Sequence, residues 1–245
     1  GGLNAMIVDS SALLEQVVAD TVESAFRSAG QRCSALRVLC VQEDVAPRLL
    51  TMLEGALAEL AVGDPGLLGT DVGPVIDAEA RAALEAHRDA IAVHGHILAR
   101  SVLDERHAHG TFFPPTVIEI DRINRLTHEA FGPILHVVRW PGGALDQVVD
   151  AVNASGYGLT FGIHSRVDAT VEAAIRRVRA GNLYVNRTVI GAVVGAQPFG
   201  GEGLSGTGFK AGGPHYLLRF VTERTTSENL TAMGGNLALL GAMED

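Results

Sequence analysis

Cys33 stands in Gln31-Arg32-Cys33-Ser34, just past an amphipathic stretch that ends at Gly30. A thiol at a helix end beside a cation is where a nucleophile can be exposed and held as the thiolate, its reactive form. Most free cysteines are small buried hydrophobes, and the tetrapeptide leaves both readings open. Gly201-Glu202-Gly203-Leu204-Ser205-Gly206 satisfies the G-x-G-x-x-G pattern. Phosphate binding by that pattern needs a strand before it and a helix opening from it. Gln197-Pro198-Phe199 precede it here, and Gly208, Gly212, Gly213 and Pro214 follow, so no helix is expected and the glycines read as sites of close backbone approach. His94, His96, His107 and His109 bracket Asp104 and Glu105, but their spacing matches no zinc pattern, so no metal is expected. His128, His136, His164 and His215 read as structural singles. A histidine pairing with Cys33 in space would make a thiol hydrolase, the lesser alternative.

The elements that must position these groups follow from periodicity. Ser10 or Ser11 is expected to cap a helix whose apolar residues run from Leu13 to Phe26, with Gly30 as its stop. Ala35 to Gln42 reads as a buried strand, Ala46 to Ala61 as a helix, and Gly63-Asp64-Pro65-Gly66 as its break. Asp77 caps a further helix to about Val93, and a polar, His-rich connection follows. Strands are expected at Thr116–Ile120, Ile134–Trp140, Leu159–His164 and Asn182–Asn186. Helices are expected at Leu145–Asn153 and Ala169–Ala180. Such alternation implies an α/β fold, an open and mostly parallel sheet with helices on both faces. Val193 to Gly213 reads as an irregular Gly-rich loop, Tyr216 to Thr226 as a lone C-terminal strand, and Asn229 to Asp245 as an apolar tail.

Composition narrows the partners. The chain has 245 residues, is 47% hydrophobic and carries a net charge of −9, enough for a sizeable core and the wrong sign for nucleic-acid phosphates or an anionic membrane surface. Its two cysteines do not make a disulfide framework, and Cys40, inside Val38-Leu39-Cys40-Val41, reads as core. No apolar run is long enough to span a membrane and no export signal is visible, so a reducing cytoplasm is expected.

Several segments together resemble the aldehyde dehydrogenase superfamily: Gly30-Gln31-Arg32-Cys33-Ser34, Val62-Gly63-Asp64-Pro65, Asp71-Val72-Gly73-Pro74-Val75-Ile76, Glu129-Ala130-Phe131-Gly132-Pro133, Gly181-Asn182-Leu183-Tyr184-Val185-Asn186 and Gln197-Pro198-Phe199-Gly200-Gly201. Their order and spacing carry the resemblance over essentially the whole chain. Gly191-Ala192-Val193-Val194-Gly195, Ser205-Gly206-Thr207-Gly208 and Gly212-Gly213-Pro214 resemble the branch that oxidises L-glutamate γ-semialdehyde. The tail from Asn229 to Leu240 is similar to that of bifunctional proline-utilisation enzymes.

The resemblance implies an NAD-dependent dehydrogenase of a small-molecule aldehyde, with a catalytic domain over 1–202 and a loop, oligomerisation strand and tail over 203–245. Cys33 would be the nucleophile, passing through a thiohemiacetal and a thioester. Glu129 would accept hydrogen bonds from the nicotinamide ribose and Phe131 would pack beside the cofactor. Ser34 and the backbone at Gly191 and Ala192 would hold the substrate carboxylate, neutral donors acting as a dipole cage, with Phe199 as an aromatic wall. Leu217 to Thr225 resembles a strand that adds to a neighbouring subunit, so a homo-oligomer is expected. Gly1-Gly2 matches the glycines of the family's Glu-x-Gly-Gly motif. Its general base, its oxyanion asparagine and most of its nucleotide-binding domain would then lie upstream, and this chain alone would be nearly inactive and bind NAD no better than millimolar. The second function class is a non-enzymatic assembly module of the same fold.

Overall fold

Ala5-Met6-Ile7-Val8 forms a strand, β1 (Ala5–Val8), buried at every residue. Its place in the sheet was not legible in the alternation read from Ser10 onward, because four apolar residues show neither period. It is nonetheless a central strand, and a strand covered on both faces needs only a continuous apolar run. The computed structural model describes residues 1–193, 195–229 and 232. These fall into two units, Gly1–Gly213 and a second beginning at Pro214.

In the first unit α1 (Leu14–Phe26) leads to β2 (Val38–Gln42), then α2 (Ala46–Ala58) and α3 (Ala78–Ala92). β3 (Gly95–Arg100), β4 (Thr116–Ile120) and β5 (Ile134–Trp140) follow. Next come α4 (Leu145–Asn153), the two-residue β6 (Tyr157–Gly158), β7 (Thr160–His164), α5 (Asp168–Arg177), β8 (Asn182–Val185) and the two-residue β9 (Glu202–Gly203). The main sheet has the order β3-β4-β5-β2-β1-β7-β8. Every neighbouring pair is parallel except β3 with β4. The crossover through α1 runs from β1 to β2, and the crossovers through α4 and α5 run the opposite way across the sheet. With right-handed connections those helices lie on opposite faces, which is the α/β architecture expected from the alternation.

Four expectations are corrected. The α1 cap is Leu13, with no side-chain bond. Ser11 Oγ instead accepts from the Arg166 N–H at 2.8 Å and donates to Asp9 Oδ1 at 2.6 Å, so its oxygen is spent away from the first helical N–H groups. The His-rich connection contains the edge strand β3, whose residues lie half-buried against β4; edge position explains its polar composition. Two-residue β9 pairs with β6 inside the Gly-rich loop. In the second unit Tyr216–Phe220 forms a 3-10 turn and no strand lies between 216 and 226. A strand with no neighbouring strand leaves its ladder groups unsatisfied, and here the Leu218 N–H turns back to the His215 carbonyl at 3.1 Å. The C-terminal tail from Asn229 to Asp245 falls, apart from Asn229 and Ala232, outside the described residues. Among the described residues no helix is long and apolar enough to cross a membrane.

Candidate active site

The chain leaves α1 through a left-handed turn: Ser28, Ala29 and Gly30 have φ of 56°, 52° and 63°. Two non-glycine residues in that region hold local strain that surrounding structure must offset. Gly30 has a second reason to be glycine, since a Cβ there would lie 2.3 Å from the Gly132 carbonyl oxygen. That contact brings the end of α1 against the loop carrying Glu129 and Phe131. The turn delivers Arg32, Cys33 and Ser34 onto an irregular loop ahead of β2, with Cys33 exposed and Ser34 buried.

Buried Asn4 braces this loop. Its Nδ2 donates to the carbonyls of Cys33 and Ala35, each at 2.8 Å, and its Oδ1 accepts from the Thr160 N–H at 3.1 Å. Gln31 ties the same loop to the segment before α3: its Oε1 accepts from the Ile76 N–H at 2.9 Å. Cys33 is thus displayed by main-chain clamps that leave its side chain open.

Arg37 joins the thiol loop to the Glu129 loop. Its side chain is wholly buried and that of Glu129 is 12% exposed. Nε and Nη2 donate to Glu129 Oε1 at 3.3 and 3.1 Å, Nη1 to the Gly132 carbonyl at 2.9 Å, and Nη2 to the Arg32 carbonyl at 3.3 Å. Its Cζ lies 5.4 Å from the centre of the Phe131 ring, a cation–π contact. Burial pulls the guanidinium below its usual pKa, while the Glu129 carboxylate and the charge of Cys33 raise it again. Sequence reasoning missed this residue. The signal was a lone arginine inside the otherwise apolar run Ala35 to Val41, a charge that is almost never fully buried unless paired.

Glu129 Oε2 also accepts from the Gly2 N–H at 3.0 Å. Three of roughly four acceptor sites on the carboxylate are therefore taken, leaving Oε2 room for a further donor. Phe131 is 46% exposed. Both residues line a cleft of about 460 Å³ with Gln31, Ile76, Leu84 and His128. An acceptor beside an exposed aromatic face, in an apolar-walled cleft, fits one hydroxyl and the flat ring of a nicotinamide riboside.

Behind the cleft two buried histidines meet. His136 Nδ1 lies 3.0 Å from the Arg37 carbonyl, and its Nε2 lies 3.0 Å from His87 Nε2. A carbonyl only accepts, so Nδ1 carries the His136 proton. His87 Nε2 must then donate to His136 Nε2. Burial pushes both down, His136 to about 3 and His87 to about 4, with the His87 imidazole adding to the effect at His136 and the His128 imidazole adding to it at His87. Both are neutral pins between α3, β5 and the Arg37 main chain.

Arg37 thus links the loop of Cys33 to Glu129 and Phe131; Cys33 and Ser34 do not line the cleft, and the buried Ser34 accepts from Thr160 Oγ1 through its carbonyl at 3.4 Å. Gly191, with φ of 79°, and Ala192 lie in an irregular segment just before Val193, whose carbonyl accepts from the Gln197 N–H at 2.8 Å. Half-buried Phe199 pairs with Ala211 through two backbone bonds of 3.0 Å. None of the hydrogen bonds among the described residues joins these three to the Cys33 loop. Two residues before Gly191, the Val189 N–H donates to Ser24 Oγ of α1 at 3.1 Å. The G-x-G-x-x-G segment opens no helix. A Cβ on Gly206 would lie 2.2 Å from the Gly201 carbonyl, and one on Gly201 would lie 2.6 Å from that of Gly158, so these glycines allow backbones to touch. His107 spends both ring nitrogens on the main chain, near the Asp104 N–H at 2.9 Å and the Val62 carbonyl at 2.9 Å.

Comparison with known proteins places this geometry in context. The family model described as the aldehyde dehydrogenase family matches residues 1–226. The bifunctional protein PutA of Klebsiella aerogenes is 58% identical over 229 residues, 91% of this chain and 18% of that protein. A crystal structure of a mutant proline utilization A from Bradyrhizobium japonicum superposes with a TM-score of 0.89 at 56% identity, over 96% of this chain and 24% of that one. The 1-pyrroline-5-carboxylate dehydrogenase from Thermus, solved with bound NAD, superposes with a TM-score of 0.83 at 34% identity, over 90% of this chain and 42% of that one. The chain thus spans less than half the length of each of these relatives.

Proposed function

Because the chain belongs to the aldehyde dehydrogenase family, we propose that it supplies the thiol-bearing part of an active site that oxidises L-glutamate γ-semialdehyde to L-glutamate. The observation that carries this reading is the exposed Cys33, clamped by its main chain and joined through Arg37 to Glu129 and Phe131. The relatives named for proline utilisation and for 1-pyrroline-5-carboxylate, whose hydrolytic ring-opened form is the semialdehyde, support the substrate.

In this reading Cys33 Sγ, as thiolate, bonds to the aldehyde carbon and the carbonyl oxygen becomes the oxyanion of a thiohemiacetal. Bound NAD would supply the two-electron acceptor for the hydride on that carbon, so that Cys33 is left carrying a thioester. Water then breaks the C–S bond, releasing the carboxylate and restoring the thiol. Glu129 Oε2 would hold a ribose hydroxyl, and Phe131 would exclude water from one side of the nicotinamide. Ser34 and the Gly191–Ala192 backbone would hold the far carboxylate of the substrate, and Phe199 would wall its methylenes.

Two unpaired thiols support a reducing, cytoplasmic setting. The exposed Leu217, Phe220 and Val221 support self-association as a homo-oligomer.

The test is substitution of the thiol in the protein that carries this chain. Cys33→Ala is expected to cut kcat for NADH formation from the semialdehyde by about 10³-fold or more. Turnover retained within about tenfold of the parent would remove the covalent route.

A further inference from the structure

Among the described residues Arg37 is the one charged side chain whose hydrogen bonds reach both the thiol loop and the Glu129 loop, and no step above uses it. A buried ion pair is weak evidence for stability, because an apolar residue of similar volume often serves as well. What a guanidinium adds is a rigid fork of five donors in fixed directions. Here four of its hydrogen bonds reach three groups: the Glu129 carboxylate, the Gly132 carbonyl two residues past its loop neighbour Ala130, and the Arg32 carbonyl next to Cys33. The fork plane also lies against Phe131. The root of the side chain is fixed independently, since the Arg37 carbonyl accepts from the His136 N–H at 2.9 Å and from His136 Nδ1 at 3.0 Å. Held at root and tip, the side chain has one orientation available.

We propose that Arg37 is a positioning residue that holds the Glu129 carboxylate and the Phe131 ring in the geometry receiving the nicotinamide ribose, and keeps that geometry in register with the Cys33 loop. The inference rests on the dehydrogenase reading for the identity of the bound group. Arg37 touches neither substrate nor cofactor. It acts through Glu129, whose Oε1 it occupies twice while Oε2, which accepts from the Gly2 N–H, keeps room for one further donor. Lysine cannot replace it, since a single ammonium cannot bridge Glu129, Gly132 and Arg32 in one plane.

The experiment compares Arg37→Lys, Arg37→Met, Glu129→Gln and the Arg37→Met/Glu129→Gln double variant in the protein that carries this chain. NADH affinity is read by fluorescence, and KM is read for NAD and for aldehyde. Both Arg37 variants are expected to weaken NADH binding and raise the NAD KM by roughly 10–100-fold, with the aldehyde KM moving less than about twofold. The double variant is expected to bind NADH as Glu129→Gln does, because the arginine acts through that carboxylate. Unchanged NADH affinity in the lysine variant, equal shifts in both KM values, or effects that multiply in the double variant would each overturn the proposal. Should Arg37→Met fail to fold, Arg37→Lys carries the test. The fluorescence titration needs no turnover, so a failure of the Cys33→Ala prediction strikes the dehydrogenase reading without deciding this one.

Discussion

Cys33 and Cys40 are the same side chain in one short segment, and they occupy opposite environments. Cys40 lies on β2 between Ile7 of β1 and Val138 of β5, fully buried, and burial pushes its thiol up to about 12. Cys33 lies on a loop held open by Asn4, Gln31 and Arg37, and it is exposed. Between them stands Arg37, whose buried guanidinium reaches the Arg32 carbonyl beside Cys33 while its own carbonyl is fastened to the sheet through His136. The contrast shows that a sealed sheet silences a thiol and a braced loop displays one.

The sharpest break in the comparison would come from the thiols themselves. With iodoacetamide near neutral pH, Cys33 is expected to alkylate about 10³-fold faster than Cys40 or more, from thiolate fraction and access together. Peptide mapping of native protein reads the ratio, and comparable rates would erase the distinction.

Next in size is the ion pair beside Cys33. Glu129→Ala leaves the Arg37 charge buried without its carboxylate and is expected to cost about 3–5 kcal/mol. Glu15→Ala, which breaks the exposed pair with Arg48 at 3.0 Å, is expected to cost less than about 1 kcal/mol. Urea unfolding of the two variants measures the difference, and equal costs would mean that the Arg37 bridge adds no more than a surface pair.

The smallest effect lies in the histidine pins. Folded His87 and His136 stay neutral down to about 4 and about 3, whereas unfolded histidine takes up a proton near 6.5. The unfolded chain therefore binds more protons as pH falls below about 6.5, so stability is complete above that value and declines toward pH 4. The share of His87 alone, the ring the variant below removes, is on the order of 2 kcal/mol by about pH 5. His87→Gln should flatten this part of the stability-against-pH curve, and an unchanged slope would show that these rings do not link acid to the Arg37 anchor.

Much of this was legible residue by residue. The Asp77 cap of α3 was readable from the chain, and in the structure Asp77 Oδ1 accepts from the Ala80 N–H at 2.7 Å. β4, β5 and α4 fall on the residues their periodicity marked out. β1 and β3 were hidden, one because a doubly buried short strand has no alternation, the other because an edge strand is polar. Tyr216 to Thr226 misled, since β-rich composition specifies a strand only where a neighbour supplies the ladder.

Within the site, Cys33 was marked by its local setting and Glu129 and Phe131 by the family resemblance, while the signal of Arg37, a lone charge in an apolar run, was passed over and Asn4 carried none. Residue type and order decided which groups carry chemistry, because nucleophilicity, charge and backbone freedom are properties of single residues and their near neighbours. Only the folded chain decided which groups meet. Arg37 and Glu129 are separated by 92 positions, and nothing in a linear pattern encodes the desolvation that makes a contact across that distance matter.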